Sequence, residues 1–326
     1  MDEIIAVSGL KKSFRSRGRS VEAVRGISFG ARPGEILGLL GPNGAGKTTT
    51  QRMLTTLLPI GEGKAMIAGF DVAREPARVR SKIGYVGQQS GSDNLMTGRE
   101  NLLLQAGLYG MRRPSAASRV AELVGLLSLE AIADRPVRSY SGGQRRRLDL
   151  AMGLVHRPGL LFLDEPSTGL DPQSRANLWQ QIRALRQQGT FVLLTTHYLD
   201  EADALCDRLM IVDHGLVVAE GSPQELKRQV LGDTVRLTLR DGGQLSQALE
   251  LLGHLPSVRQ VTREGAALLL YVEDGASALP ELLRFLDQRG LPIATITLAL
   301  PTLDDVFLAK TGRSLREAGP EEQVAA

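Results

Sequence analysis

"EILGLLGPNGAGKTT", Glu35 to Thr49, decides how the rest of the chain is read. A short apolar run breaks into a glycine-rich turn and then into a lysine and two threonines. The stretch Gly41, Pro42, Asn43, Gly44, Ala45, Gly46, Lys47, Thr48 fits G-x-x-x-x-G-K-[ST] at every specified position, between a predicted strand and a predicted helix. The glycines let backbone N–H groups turn inward around phosphate oxygens, and the helix N-terminus adds a partial positive charge. Lys47 is then expected at the β- and γ-phosphates and the Thr48 hydroxyl on Mg²⁺, with Thr49 beside it. A plain glycine-rich turn is the competing reading, and the agreement of both motif and context weighs against it. A dinucleotide fingerprint fits less well, because the G-x-G-x-x-G order is absent.

Two further apolar runs, "LLFLD" (160–164) and "FVLLTT" (191–196), lack the alternation of a half-exposed strand. Strands of that kind are buried on both faces, which points to a parallel sheet covered by helices. Ahead of the phosphate loop, "IIAVSGL" and "AVRGISFGARPGE" read as strands with a turn at Pro33-Gly34, an antiparallel element. Between about 95 and 157 leucine-rich helical patterns such as "RENLLLQAGLYG" replace the strand signal, predicting an all-helical insertion. Near residue 232 the pattern becomes β-α-β-β-α-β, a small ferredoxin-like split βαβ module. The expected fold is α/β: a P-loop core (1–231) with an antiparallel β subdomain and an inserted helical subdomain, plus a C-terminal α+β module (232–312) and a polar tail (313–326).

Lys and Arg total 39 against 36 Asp and Glu, a net charge of +3, which does not describe a nucleic-acid binder. The single Cys206 cannot form an intramolecular disulfide, and the four histidines have no cysteine at ligand spacing, arguing against zinc. "MDEIIAVSGL" lacks the basic head and apolar stretch of a secretory signal, and no run approaches the roughly 18 apolar residues of a spanning helix. Any work at a membrane is expected to go through a partner.

"LLFLDEPSTGLD" puts Asp164 and Glu165 at the end of an apolar strand, where side chains emerge at the ligand edge of a parallel sheet. Asp164 suits a Mg²⁺ role, because a hard cation favours carboxylate and hydroxyl oxygens. Glu165 is then placed to polarise an attacking water. An Asp-Glu pair in a solvated turn is the alternative, disfavoured after four apolar residues in a chain with a phosphate loop.

A second glycine-rich helix start, Ser141, Gly142, Gly143 and Gln144 in "YSGGQ", poses a question, since one phosphate loop is already complete. Together with Gln88 after "IGYV", Asp171 in "STGLD" and His197 in "LLTTH", it makes residues 4 to about 230 resemble the ATP-binding subunits of ABC transporters. The resemblance implies a P-loop ATPase core and a head-to-tail dimer, most simply of two identical copies, in which Ser141 to Gln144 serve the ATP of the other subunit. A serine hydroxyl with successive N–H groups at a helix start forms an anion-binding nest, in keeping with that role.

By the same resemblance Phe14 stacks on adenine, Gln88 contacts Mg²⁺ and water, His197 contacts the γ-phosphate and Asp171 links the two sites across the dimer. The residues alone also allow core packing for Phe14, a satisfied polar group for His197, a helix N-cap for Asp171, and Gln89 in place of Gln88. Tyr140 stands where the family's signature usually has leucine. With "TGRENL", "RRRLDLA" and "PTLDDVFLAKTG", it makes the chain look like the branch of daunorubicin-type drug-resistance exporters. That implies a Mg-dependent ATPase at the cytoplasmic face of the membrane, partnered by a multispanning permease, with no nucleic acid involved. Export of a lipid or polysaccharide is the alternative cargo, and a soluble ATPase acting on ribosomes or DNA the alternative class.

Overall fold

Residues 3–16, 19–229, 232–299 and 301–313 are described by the computed structural model. The polar tail expected over 313–326 lies, from Ser314 onward, outside the described residues. The chain forms two compact units, one ending at Ser222 and one beginning at Pro223.

In the first unit β1 (Ile5–Ser16) and β2 (Arg19–Ala31) form a long antiparallel pair, and β3 (Ile36–Leu40) leads through the glycine-rich loop into α1 (Lys47–Leu54). β4 (Glu62–Ile67) and β5 (Phe70–Asp71) complete a four-stranded antiparallel sheet of order β2-β1-β4-β5. α2 (Pro76–Arg80) and β6 (Ile83–Val86) follow, and then the helices α3 (Gly98–Leu108), α4 (Arg113–Leu126) and α5 (Gly142–Gly153). The remainder alternates: β7 (Leu160–Asp164), α6 (Pro172–Gln187), β8 (Phe191–Thr196), α7 (Leu199–Leu205), β9 (Arg208–Asp213) and β10 (Leu216–Gly221).

Every residue of β3, β7 and β8 is buried, as continuously apolar runs require. These strands lie in a six-stranded sheet of order β10-β9-β3-β8-β7-β6, parallel except for β10 against β9. Leu37, Leu39 and Leu40 have no exposed surface, and each such side chain stabilises the fold by about 2 kcal/mol. Register then fixes the site: Leu40 pairs with Thr196 and Asp164 with Thr195, so the C-terminal ends of β3, β8 and β7 emerge side by side. On α6 the buried Leu178, Ile182 and Leu185 follow helical spacing and form its inward stripe.

The second unit begins with α8 (Pro223–Arg228) and continues through β11 (Asp233–Leu239), α9 (Leu245–Gly253), β12 (Val258–Glu264), β13 (Ala267–Val272), α10 (Gly275–Asp287), β14 (Ile293–Ala299) and α11 (Leu303–Thr311). Its antiparallel sheet has the order β12-β13-β11-β14, the ferredoxin-like arrangement read from the sequence. Val235, Leu237 and Leu239 alternate inward against Ala248 and Leu252 of α9 and Ala278, Leu282 and Leu286 of α10.

Candidate active site

The phosphate loop is held in shape by positive backbone angles at Gly44 (φ 82°) and Gly46 (φ 98°). Gly46 is also confined: a Cβ there would lie 2.2 Å from the Ala23 carbonyl oxygen. Asn43 and Gly44 are exposed at the tip, Gly41, Pro42, Ala45, Gly46 and Lys47 are buried, and Thr48 and Thr49 are half-buried at the start of α1. Lys47 Nζ donates to the carbonyl oxygens of Gly41 (2.6 Å) and Pro42 (2.8 Å). Burial lowers its pKa to about 8, with Glu165 and Asp164 acting in the opposite direction.

Asp164, at the end of β7, accepts at Oδ1 from Thr48 Oγ1 (2.9 Å) and Thr195 Oγ1 (2.6 Å). Its Oδ2 is buried without a hydrogen-bond partner. Glu165 has a left-handed backbone (φ 45°), a conformation that costs a non-glycine residue of order 1 kcal/mol and that surrounding bonds must impose. Its N–H donates to both the carbonyl and the hydroxyl oxygen of Thr195, each at 3.1 Å. The side chain then meets three others: Gln88 Nε2 donates to Oε2 (3.2 Å), Thr168 Oγ1 donates to the same oxygen (3.3 Å), and His197 Nδ1 lies 3.2 Å from Oε1. Burial pushes the Glu165 carboxyl up, but His197, Lys47 and Thr168 together outweigh it, so its pKa is lowered and the group is ionised at neutral pH.

Lys47, Thr48, Asp164, Glu165, Gln88 and His197 therefore converge at the C-terminal edge of the parallel sheet. Gln88, rather than its neighbour Gln89, bonds to Glu165. The Ser141–Gln144 turn does not join them, since among the described residues no hydrogen bond or ion pair links it to the phosphate loop. Ser141 is the exposed N-cap of α5, with Ser141 Oγ accepting from Gln144 N (3.3 Å) and Gln144 Oε1 from Ser141 N (3.0 Å). A Cβ on Gly143 would lie 2.5 Å from Ser174 Oγ, so this turn packs closely on the start of α6. Asp171 caps that helix by accepting from Ser174 N at 2.9 Å. Phe14 is 40% exposed on β1, with Lys12 Nζ 5.8 Å from its ring centroid, which removes the core-packing alternative.

Two residues of the site were not singled out in the sequence. Thr195 bridges Asp164 and Glu165, and its place two residues before His197, at the end of an apolar run, was the available signal. Arg146, in the second turn of α5, is 8% exposed and bonds to the backbone around Glu165. In the run "RRRLDLA" nothing distinguishes it from a solvated helix face.

Residues 24–168 match the family model "ABC transporter", and residues 221–311 match "ATP-binding protein DrrA1-3-like, C-terminal domain". The chain is 44% identical over 330 residues to the daunorubicin/doxorubicin resistance ATP-binding protein DrrA of Streptomyces peucetius, covering 98% of each. It is 37% identical to the Nod factor export ATP-binding protein I of Ralstonia nicotianae, covering 96% of this chain and 95% of that one. Among solved structures, a dimeric bacterial ABC transporter cassette superposes with a TM-score of 0.62 at 25% identity, covering 67% of this chain and 98% of the cassette.

Proposed function

The chain belongs to the ATP-binding subunits of ABC transporters, in the group that carries the DrrA-like C-terminal domain, and from that premise we propose that its ATPase cycle drives export of an antibiotic or similar hydrophobic drug through a separate permease. The observation that carries the chemistry is the Glu165 carboxylate, held between Gln88 and His197 beside Lys47 and Asp164. Backbone N–H groups of the glycine-rich turn beyond Pro42 and the buried Lys47 cation hold the ATP phosphates. Thr48 and Asp164 suit Mg²⁺, because a hydroxyl and a carboxylate lie 2.9 Å apart and Asp164 Oδ2 is buried and unpartnered. Among the described residues no group of three His, Cys, Asp or Glu could hold a metal ion on its own, and Thr48 and Asp164, with Gln88 near them, are the residues that would hold Mg²⁺ together with the nucleotide. Bound there, Mg²⁺ would neutralise charge that builds up on the transferring phosphoryl group.

Glu165 orients a water against the γ-phosphorus and accepts its proton as the bond to the ADP oxygen breaks. Gln88 and Thr168 fix one carboxylate oxygen, and His197 borders the other. Two copies placed head to tail bring the Ser141–Gln144 turn of one onto the γ-phosphate held by the other, with Asp171 beside that turn and the exposed Phe14 against adenine. The similarity to a dimeric cassette supports this arrangement. Among the described residues no helix is long and apolar enough to cross a membrane. In the proposed reading the transport path belongs to the permease, and this subunit docks peripherally at its cytoplasmic side.

Coexpression with a candidate multispanning permease tests the reading. Copurification, and ATP-dependent doxorubicin uptake by inside-out vesicles that Glu165→Gln abolishes, are expected. Failure to copurify overturns the permease assignment. The likeness to a Nod factor export ATP-binding protein favours one second reading, a cargo other than a drug, for which the lipid or polysaccharide weighed from the sequence is the candidate. Copurification without drug movement, but with movement of such a cargo, would establish it.

A further inference from the structure

The helix that begins at Ser141 reaches back into its own chain through one side chain. Arg146 Nε donates to the Pro166 carbonyl (2.7 Å), Nη1 to the Gly87 carbonyl (2.6 Å) and Nη2 to the Asp164 carbonyl (3.0 Å). Asp164 and Pro166 flank Glu165, and Gly87 precedes Gln88. The backbone these bonds hold includes the left-handed Glu165 (φ 45°), a conformation maintained only where its neighbours over-determine it. Burying a guanidinium is costly unless its donors are satisfied, and here each nitrogen is used on a carbonyl next to a functional residue.

We infer that Arg146 is a positioning residue for hydrolysis, fixing the attitude of Glu165 and Gln88 and tying it to the helix that carries the Ser141 turn. An arginine fork suits this task, because one planar group spans three carbonyls that a single ammonium cannot reach together. The molecule supplies its own control. Arg119 of α4 is also 8% exposed and bonds to the carbonyls of Val155 (3.1 Å) and Leu154 (2.6 Å) and to the Glu122 carboxylate (2.6 Å), none of which adjoins a residue of the site. If a buried arginine on carbonyls were only structural, the two would behave alike.

The inference rests on the role proposed for Glu165, so Glu165→Gln is measured alongside. Arg146→Lys and Arg119→Lys are prepared in the full chain, and kcat, ATP affinity and Tm are compared. Arg146→Lys is expected to lower kcat about 10- to 100-fold, the scale of an ångström-level misplacement, with ATP affinity within about twofold. Arg119→Lys should keep kcat per folded molecule whatever its Tm. In single-turnover assays Arg146→Lys should lower the slow hydrolysis left by Glu165→Gln by a smaller factor than it lowers the wild-type rate, because one of the two positioned groups is already gone. A wild-type rate in folded Arg146→Lys, a loss matching that of Arg119→Lys at equal Tm, or additivity with Glu165→Gln would overturn the inference alone. Wild-type turnover in Glu165→Gln overturns the Glu165 assignment and the inference together.

Discussion

At the start of α1 the chain surrounds its glycine-rich turn with everything phosphate chemistry needs, whereas at the start of α5 it leaves a similar turn facing outward with nothing to act on. The first carries left-handed glycines, a buried lysine and two carboxylates a bond or two away. The second is an exposed helix start with no acidic residue in its first turn. Its capping box uses the N–H groups of Ser141 and Gln144, leaving those of Gly142 and Gly143 at the exposed end. On the proposed function the difference makes one turn a site and the other a half-site, whose remaining part is expected on a second copy.

The sharpest way to break that comparison is to remove chemistry from the complete site. Glu165→Gln should lower kcat by about 10²- to 10⁴-fold, retain ATP binding and accumulate an ATP-bound dimer. Asp164→Asn should instead weaken Mg-ATP binding, since it removes charge beside Thr48. Retained turnover in Glu165→Gln would remove it from the water-polarising role. The next effect is one of complementation. Homodimers of Lys47→Ala or of Ser141→Arg each have two damaged sites, but a mixed dimer places both defects in one site and leaves the other whole. ATPase activity or ATP-dependent closure should therefore return on mixing differently tagged chains. Verified mixed dimers with neither gain would show that the two turns do not complete each other across an interface.

Much of the fold beneath this comparison was legible in the sequence because it rests on local rules. Apolar runs at 36–40, 160–164 and 191–196 can be buried only on both faces, and a loop motif between a strand and a helix has one common use. The C-terminal β-α-β-β-α-β order was readable for the same reason. What escaped depends on distant partners. The second unit begins at Pro223, nine residues ahead of the composition change near 232, because α8 packs on α11 while only Pro223 and Leu226 of its own residues are buried. Arg146 looked like surface because its carbonyl partners lie 18 to 59 residues away. The left-handed Glu165 leaves no trace in residue type.

A smaller effect separates the two turns by pH, since only the first contains a buried titratable cation. Lys47 has a folded pKa of about 8 against a usual 10.5. Phosphate oxygens favour the ammonium, so ATP binding takes up a proton wherever Lys47 is partly neutral. Affinity should weaken as pH rises above about 8, by at most about tenfold per unit. For the nucleotide-free fold the sign reverses. The depressed pKa means that the unfolded chain binds more protons between pH 8 and 10.5, so this lysine's cost of about 3 kcal/mol is full below that window and fades as pH rises through it. Lys47→Arg keeps its charge throughout and should lose this part of the pH slope. Equal slopes in titrations from pH 7 to 10 would reject the lysine as the source.

The smallest expected effect lies within the second turn and asks why two glycines stand there. A Cβ on Gly143 would meet Ser174 at 2.5 and 2.7 Å, so Gly143→Ala must force α5 away from α6, at about 1–3 kcal/mol. A Cβ on Gly142 would meet only Leu170 Cδ2, at 3.8 Å, an ordinary contact. The subunit alone thus gives no steric reason for Gly142, and alanine, the better helix former, should leave Tm unchanged or raise it by a few degrees, within a gain of about 1 kcal/mol. If the turn closes on a phosphate held by another copy, the methyl group instead obstructs the approach of the Gly142 and Gly143 N–H groups. Gly142→Ala should then be as stable as wild type while forming the ATP-dependent dimer less readily and hydrolysing more slowly. Unchanged stability combined with unchanged dimerisation and turnover would mean that no phosphate approaches this turn closely, and the contrast between a site and a half-site would lose its chemical basis.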